Sequence, residues 1–149
     1  MTLVLQAIQN NNLEFDSSFI LKDWTIIKGD PLFLNSDGYY VPTFGGTFNV
    51  QFTLNYQIIG DFTTIVIPDI FIAVRGFASF NRYGDKPFPS KSGFFNIKSF
   101  PETSGSVTTN YNVDVFRTQE IGVGVLTPIT IFPNKLRVTS SEIIIKRLQ

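Results

Sequence analysis

Between Thr47 and Ile58 the chain alternates without a break. Phe48, Val50, Phe52, Leu54, Tyr56 and Ile58 are apolar, and Thr47, Asn49, Gln51, Thr53, Asn55 and Gln57 are polar. Helical apolar positions recur every three or four residues, so a two-residue period over this length specifies a strand with one buried and one polar face. Gly45-Gly46 before it and Gly60-Asp61 after it are turn punctuation.

Shorter β-rich runs fill most of the remaining chain, at 19–27, 38–41, 62–67, 70–77, 94–100, 107–116, 121–126, 128–132, 135–139 and 142–148. No segment keeps a 3.6-residue apolar period, and Val, Ile, Thr and Phe suit pleated surfaces. Several prolines close or open these runs, as in Asp30-Pro31, Val41-Pro42, Ile67-Pro68, Phe100-Pro101 and Phe132-Pro133. The pattern predicts an all-β fold, a jelly-roll-type antiparallel β-sandwich of about eight to ten strands. With 149 residues and 43% hydrophobic content, one domain over 1–149 is expected, with residues 1–12 as an extended N-terminal arm or edge strand. Two loops stand out, at 81–93 and 101–106.

Charge removes several function classes. Twelve basic residues balance 12 acidic ones with no basic run, so nucleic acid is not an expected partner. Zero Cys and zero His exclude disulfides, thiolate chemistry, Cys/His zinc sites and Ser-His-Asp triads. Without His, stability and assembly are expected to vary little between about pH 6 and 8. The N-terminus lacks a basic region and a long apolar run, and Asp61, Asp69, Arg75 and Arg82 interrupt the most apolar stretch. Neither classical secretion nor membrane insertion is expected.

Ile65-Val66-Ile67, Ile70-Phe71-Ile72-Ala73-Val74 and Ile143-Ile144-Ile145 are apolar on both strand faces. An antiparallel sandwich ordinarily carries polar residues outside. Such segments are covered either by the chain's own loops or by a second subunit. With only 16% charged residues to solvate a surface, the second reading is preferred, and Ile70, Phe71, Ile72, Val74, Ile143, Ile144 and Ile145 are candidate oligomer-interface residues.

The segment Asp37-Gly38-Tyr39-Tyr40-Val41-Pro42-Thr43-Phe44-Gly45-Gly46-Thr47-Phe48-Asn49-Val50-Gln51-Phe52 resembles the central segment of C1q/TNF-like domains, where a short strand ending in Pro leads through Gly into an aromatic-rich strand. The resemblance implies a ten-stranded jelly roll that forms homotrimers around an aromatic-lined axis. Viral capsid, spike and fibre-head domains share that architecture.

Chemical motifs are sparse. Neither phosphate-cradling glycine pattern occurs. Gly122-Val123-Gly124 reads as a strand that lets another backbone come close. No Ser-x-x-Lys quartet offers a nucleophile, and carboxylates such as Asp61, Asp69, Asp114 and Glu120 are scattered rather than paired. No enzyme, cofactor or metal is expected. Asp30, Asn35 and Asp37 share a turn region and either contribute oxygens to calcium or cap local amides. Trp24 is a ligand anchor or a core residue. In the 81–93 loop Arg82, Tyr83, Lys86 and Phe88 combine charge with aromatics, as binding surfaces do, unless Phe88 tucks against the sandwich.

The expected function is a self-associating module, homotrimeric, at the surface of a virion or other extracellular particle. Its expected partners are itself, a protein or glycan receptor, or other particle components. The alternative is a secreted C1q/TNF-like ligand or lectin-like module.

Overall fold

The structure, a computed structural model, describes residues 1–9, 13–15, 19–59, 69–87, 104–126 and 135–148. The strand candidates at 62–67, 94–100 and 128–132, the segment Ile65-Val66-Ile67 and Phe88 lie outside them. Ten strands are described: β1 Thr2–Gln9, β2 Leu13–Phe15, β3 Phe19–Ile20, β4 Thr25–Lys28, β5 Gly46–Ile59, β6 Asp69–Gly76, β7 Ser79–Pro87, β8 Ser104–Val115, β9 Glu120–Leu126 and β10 Lys135–Arg147. A 3-10 turn spans Pro31–Phe33.

The strands form two antiparallel sheets. One runs β4-β1-β10-β5-β8, with β2 also paired to β10, and the other runs β3-β9-β6-β7. This is a jelly-roll β-sandwich. The alternating strand is its longest, β5, and Phe48, Val50, Phe52, Leu54 and Tyr56 are buried between the sheets. Facing them are Ile70, Ile72 and Val74 of β6 and Ile121, Val123 and Val125 of β9. Burying one such side chain contributes roughly 1.5–3 kcal/mol relative to leaving it in water.

Several elements differ from the sequence expectation. The run at 19–27 is two strands in different sheets, β3 beside β9 and β4 beside β1. The chain crosses between the sheets through residues 21–24, where Asp23 takes φ 64, and Gln9 Nε2 donates to the carbonyl of Lys22 across the crossing. Residues 38–41 form no strand, because Tyr40 makes only isolated bridges, to Leu34 and Ile121. The runs at 135–139 and 142–148 are one strand. An irregularity between Val138 and Ser140 in the pairing with β5 moves the buried positions from Val138 to Ser141, Ile143 and Ile145, which reverses the alternation midway. β1 is not an edge strand; it lies between β4 and β10.

The largest correction concerns 81–93. Asn81 to Pro87 belong to β7, which pairs along β6 from Asp69↔Pro87 to Gly76↔Ser79. Among the described strands β7 lies at the edge of its sheet and has no buried residue, so its sequence lacks the alternation that marks a strand packed on a core.

Candidate functional site

Phe88 lies outside the described residues, and the other three residues of the expected binding loop, Arg82, Tyr83 and Lys86, are not gathered into one surface. Arg82 pairs opposite Ala73 and Tyr83 opposite Ile72, so successive residues of β7 lie on opposite sheet faces. On the outer side Arg82 forms an ion pair with Asp85 at 3.0 Å, and its guanidinium carbon lies 5.7 Å from the centre of the Phe71 ring. On the inner side Tyr83 stacks on Tyr111 of β8, with ring centres 5.8 Å apart, and joins the edges of the two sheets. Lys86 is exposed opposite Ile70.

The two-sided segment of β6 is covered within the chain. Ile70, Ile72 and Val74 enter the main core, while Phe71 and Ala73 form a second cluster with Tyr39 on the outer face. Phe71 is only 4% exposed. Its two-sided pattern is therefore satisfied by intrachain packing and does not by itself mark an interface. Ile143 and Ile145 likewise point into the core, and Ile144 is half-buried on the other face.

Tyr39 reaches β6 because the preceding turn aims it there. The Asn35 side-chain oxygen accepts hydrogen bonds from the amides of Asp37 and Tyr39, both at 3.0 Å, and its Nδ2 donates to Glu120 at 3.2 Å. Asp30 caps the 3-10 turn by accepting from the Leu32 amide at 2.9 Å. Of the trio weighed for calcium, Asp30 and Asn35 serve as local caps, and Asp37 pairs with Arg75 at 3.1 Å. Arg75 also bonds Glu120, and its guanidinium carbon sits 3.7 Å from the centre of the Tyr39 ring. Desolvation works against the charge on Arg75, but its hydrogen bonds to Glu120 and Asp37 outweigh it and its pKa is raised. Burial pushes the Tyr39 phenol above its ordinary 10.0, against the pull of Arg75.

Gly122 makes this cover fit. A Cβ there would lie 2.6 Å from Cε1 of Tyr39, inside the contact limit, so the ring settles where a side chain is missing. The sequence marked Gly122 as a place of close approach, but the approaching group is an aromatic ring rather than a backbone.

Two other surfaces stand out. One end of the sandwich, where β5 begins and β8 ends, carries large aromatic side chains in water. Phe44 is 70% exposed, Phe77 in the β6–β7 turn 100%, Phe80 55% and Phe116 after β8 73%. Gly46 pairs with Val115, which sets Phe44 and Phe116 at the same end, and a Cβ on Gly76 would touch Gln119, which brings the β6–β7 turn there too. The sequence signal for them was a Phe beside a turn glycine, at Phe44-Gly45 and Gly76-Phe77.

The second surface is the outer face of β5 and β8. Thr47 donates to Asp114 at 2.7 Å, Asn49 to Asn110 and Asn112 at 2.6 and 2.9 Å, and the Thr53 and Thr108 hydroxyls lie 3.0 Å apart. It is a ladder of amides and hydroxyls with little charge.

No protein-family model and no curated protein sequence matches the chain. Solved structures do. A TNF protein, Eiger, from S. frugiperda matches with a TM-score of 0.63 at 9% identity, covering 100% of this chain and 94% of the other. The globular domain of zebrafish complement 1qA matches with a TM-score of 0.63 at 9% identity, covering 97% and 96%. Murine APRIL matches with a TM-score of 0.61 at 13% identity, covering 97% and 98%. The chain thus has the C1q/TNF-like jelly-roll fold over its whole length, as the segment from Asp37 to Phe52 implied.

Proposed function

We propose that this protein is a non-enzymatic, self-associating jelly-roll module that forms a homotrimer and recognises a protein or glycan receptor from the surface of a virion or other extracellular particle. The observation that carries the reading is the aromatic end. Phe44, Phe77, Phe80 and Phe116 are all more than half exposed, whereas the other exposed large apolar residues among the described ones, such as Ile27, Leu32 and Tyr111, belong to other parts of the surface. Exposed aromatics grouped at one end mark surfaces that another protein covers. The interface is accordingly assigned to this end and its adjoining edge rather than to Ile70–Val74, which the chain covers itself.

The likeness to complement and TNF domains favours a second reading, a secreted ligand built on the same trimer. Light scattering tests the self-association common to both. At micromolar concentration the purified chain should have about three times its 16.8 kDa mass. The double variant Phe77→Asp/Phe116→Asp should lower that mass while leaving the melting temperature nearly unchanged, because neither side chain is buried in the single chain. A monodisperse wild-type monomer overturns the proposal.

A further inference from the structure

Where the chain crosses from the four-stranded to the six-stranded sheet, Asp23, Trp24, Ile26, Pro31, Leu34, Asn35 and Ser36 line an open pocket of about 380 Å³. We infer that this pocket binds one neutral sugar residue, with Trp24 as its platform and Asp23 as its hydroxyl acceptor. None of the aromatic-end residues lines it, so the inference does not depend on self-association.

The pocket's chemistry narrows the ligand. Its volume lies within the range of small-ligand sites, about 300–1,000 Å³. Trp24 is half-buried. It packs against the core, is anchored by its indole Nε1–H donating to the Leu21 carbonyl at 3.3 Å, and also lines the pocket. An indole held this way offers a flat apolar surface at low entropic cost. The C–H face of a pyranose matches such a surface.

Asp23 is exposed and makes no side-chain hydrogen bond or ion pair among the described residues. An ionised carboxylate only accepts, and sugar hydroxyls are donors. Ser36 adds an exposed hydroxyl beside it, while Asn35 is occupied by its own turn and by Glu120 and acts as wall. Among the described residues no Lys or Arg lines the pocket, which disfavours sulfated, phosphorylated or acidic sugars. Quaternary ammonium ligands are usually enclosed by several aromatic rings, and among the described residues this lining has only Trp24.

The backbone supplies a further observation. Asp23 holds φ 64, in the left-handed region where glycine would sit without strain. Asp enters this region more readily than most side chains, and here the turn leaves its carboxylate in the lining of the pocket.

Trp24 is the only tryptophan in the chain, so intrinsic emission reads this pocket directly. The methyl glycosides of mannose, galactose and N-acetylglucosamine are titrated in turn to about 50 mM, with choline chloride as the cationic comparison. At least one glycoside should give a saturable change with half-saturation near about 1 mM. Asp23→Gly should weaken that binding by about tenfold or more without lowering the melting temperature, since glycine accepts the same backbone angle. An emission change with choline but with no glycoside, no change with any probe, or a glycoside bound equally by Asp23→Gly overturns the inference. Scattering on the same samples shows whether assembly is intact, which separates failure of this site from failure of self-association.

Discussion

The outward faces of the two sheets solve the same problem differently. On the six-stranded sheet β5 turns Thr47, Asn49, Gln51, Thr53 and Asn55 outward, where they bond to the Asp114 carboxylate and to neighbouring amides and hydroxyls of β8 and β10. On the four-stranded sheet β6 turns out Phe71 and Ala73, and residues 35–39 fold back so that Tyr39 covers them under the guanidinium of Arg75. The first face needs no lid because its side chains replace bonds to water with bonds to one another. The second is apolar and depends on a segment far away in sequence. A strand's own pattern therefore specifies its exposed face fully only when that face is polar.

Truncation should separate the faces most sharply. Phe71→Ala removes a side chain that is 4% exposed and leaves a void beneath Tyr39, so a loss of about 3–5 kcal/mol is expected. Gln51→Ala, on the ladder, should stay within about 0.5 kcal/mol. Urea midpoints measure both. Equal losses would mean that the ladder is as structural as the covered face.

A smaller change probes the fit of the cover. Gly122→Ala places a methyl group 2.6 Å from Cε1 of Tyr39, and about 1–3 kcal/mol should be lost as the ring is displaced. In the Tyr39→Ala background the same substitution should cost almost nothing, giving a coupling of at least about 1 kcal/mol. Additive effects would place the origin of the Gly122 requirement somewhere other than the Tyr39 ring.

What the sequence disclosed follows the same division. β5 could be read residue by residue because each of its faces meets a uniform environment, and the segment from Asp37 to Phe52, with the fold class and length, brought the C1q/TNF-like architecture within reach. β6 was legible as a strand, but what covered Phe71 and Ala73 was not, since Tyr39 reaches them through an Asx turn at Asn35 that leaves no periodic trace. β7 was missed because an edge strand has few buried positions, and β10 read as two strands because its irregularity reverses the inward parity. Of the candidate site, Arg82 and Tyr83 were singled out as charged and aromatic neighbours, yet strand geometry sends them to opposite faces. The aromatic end was not foreseen, because exposure of Phe44, Phe77 and Phe116 arises from turns that meet only in the folded chain.

Titration gives the smallest and most selective contrast. Burial raises the pKa of Tyr39, in the lid, and of Tyr40, in the core beneath it, above 10.0. A group with a raised folded-state pKa holds its proton more tightly in the native than in the unfolded chain. Its contribution is complete below the unfolded value and is lost as pH rises through the folded value. Stability should therefore begin to fall above about pH 10. Asp69, raised by burial with help from Asp85 against Arg82, has the same sign at the acid end, so its contribution declines as pH rises from 3.8 and is absent at neutrality. Between these windows no histidine titrates, and urea midpoints at about pH 6 and 8 should agree. Tyr39→Phe gives up the phenol hydroxyl but keeps the ring over Phe71 and under the Arg75 guanidinium. Its midpoint should be somewhat lower at neutral pH and should fall less steeply above about pH 10 than that of the parent. Parallel alkaline profiles for the two proteins would show that ionisation of the lid plays no part in the loss, leaving Tyr40 and the core to account for it.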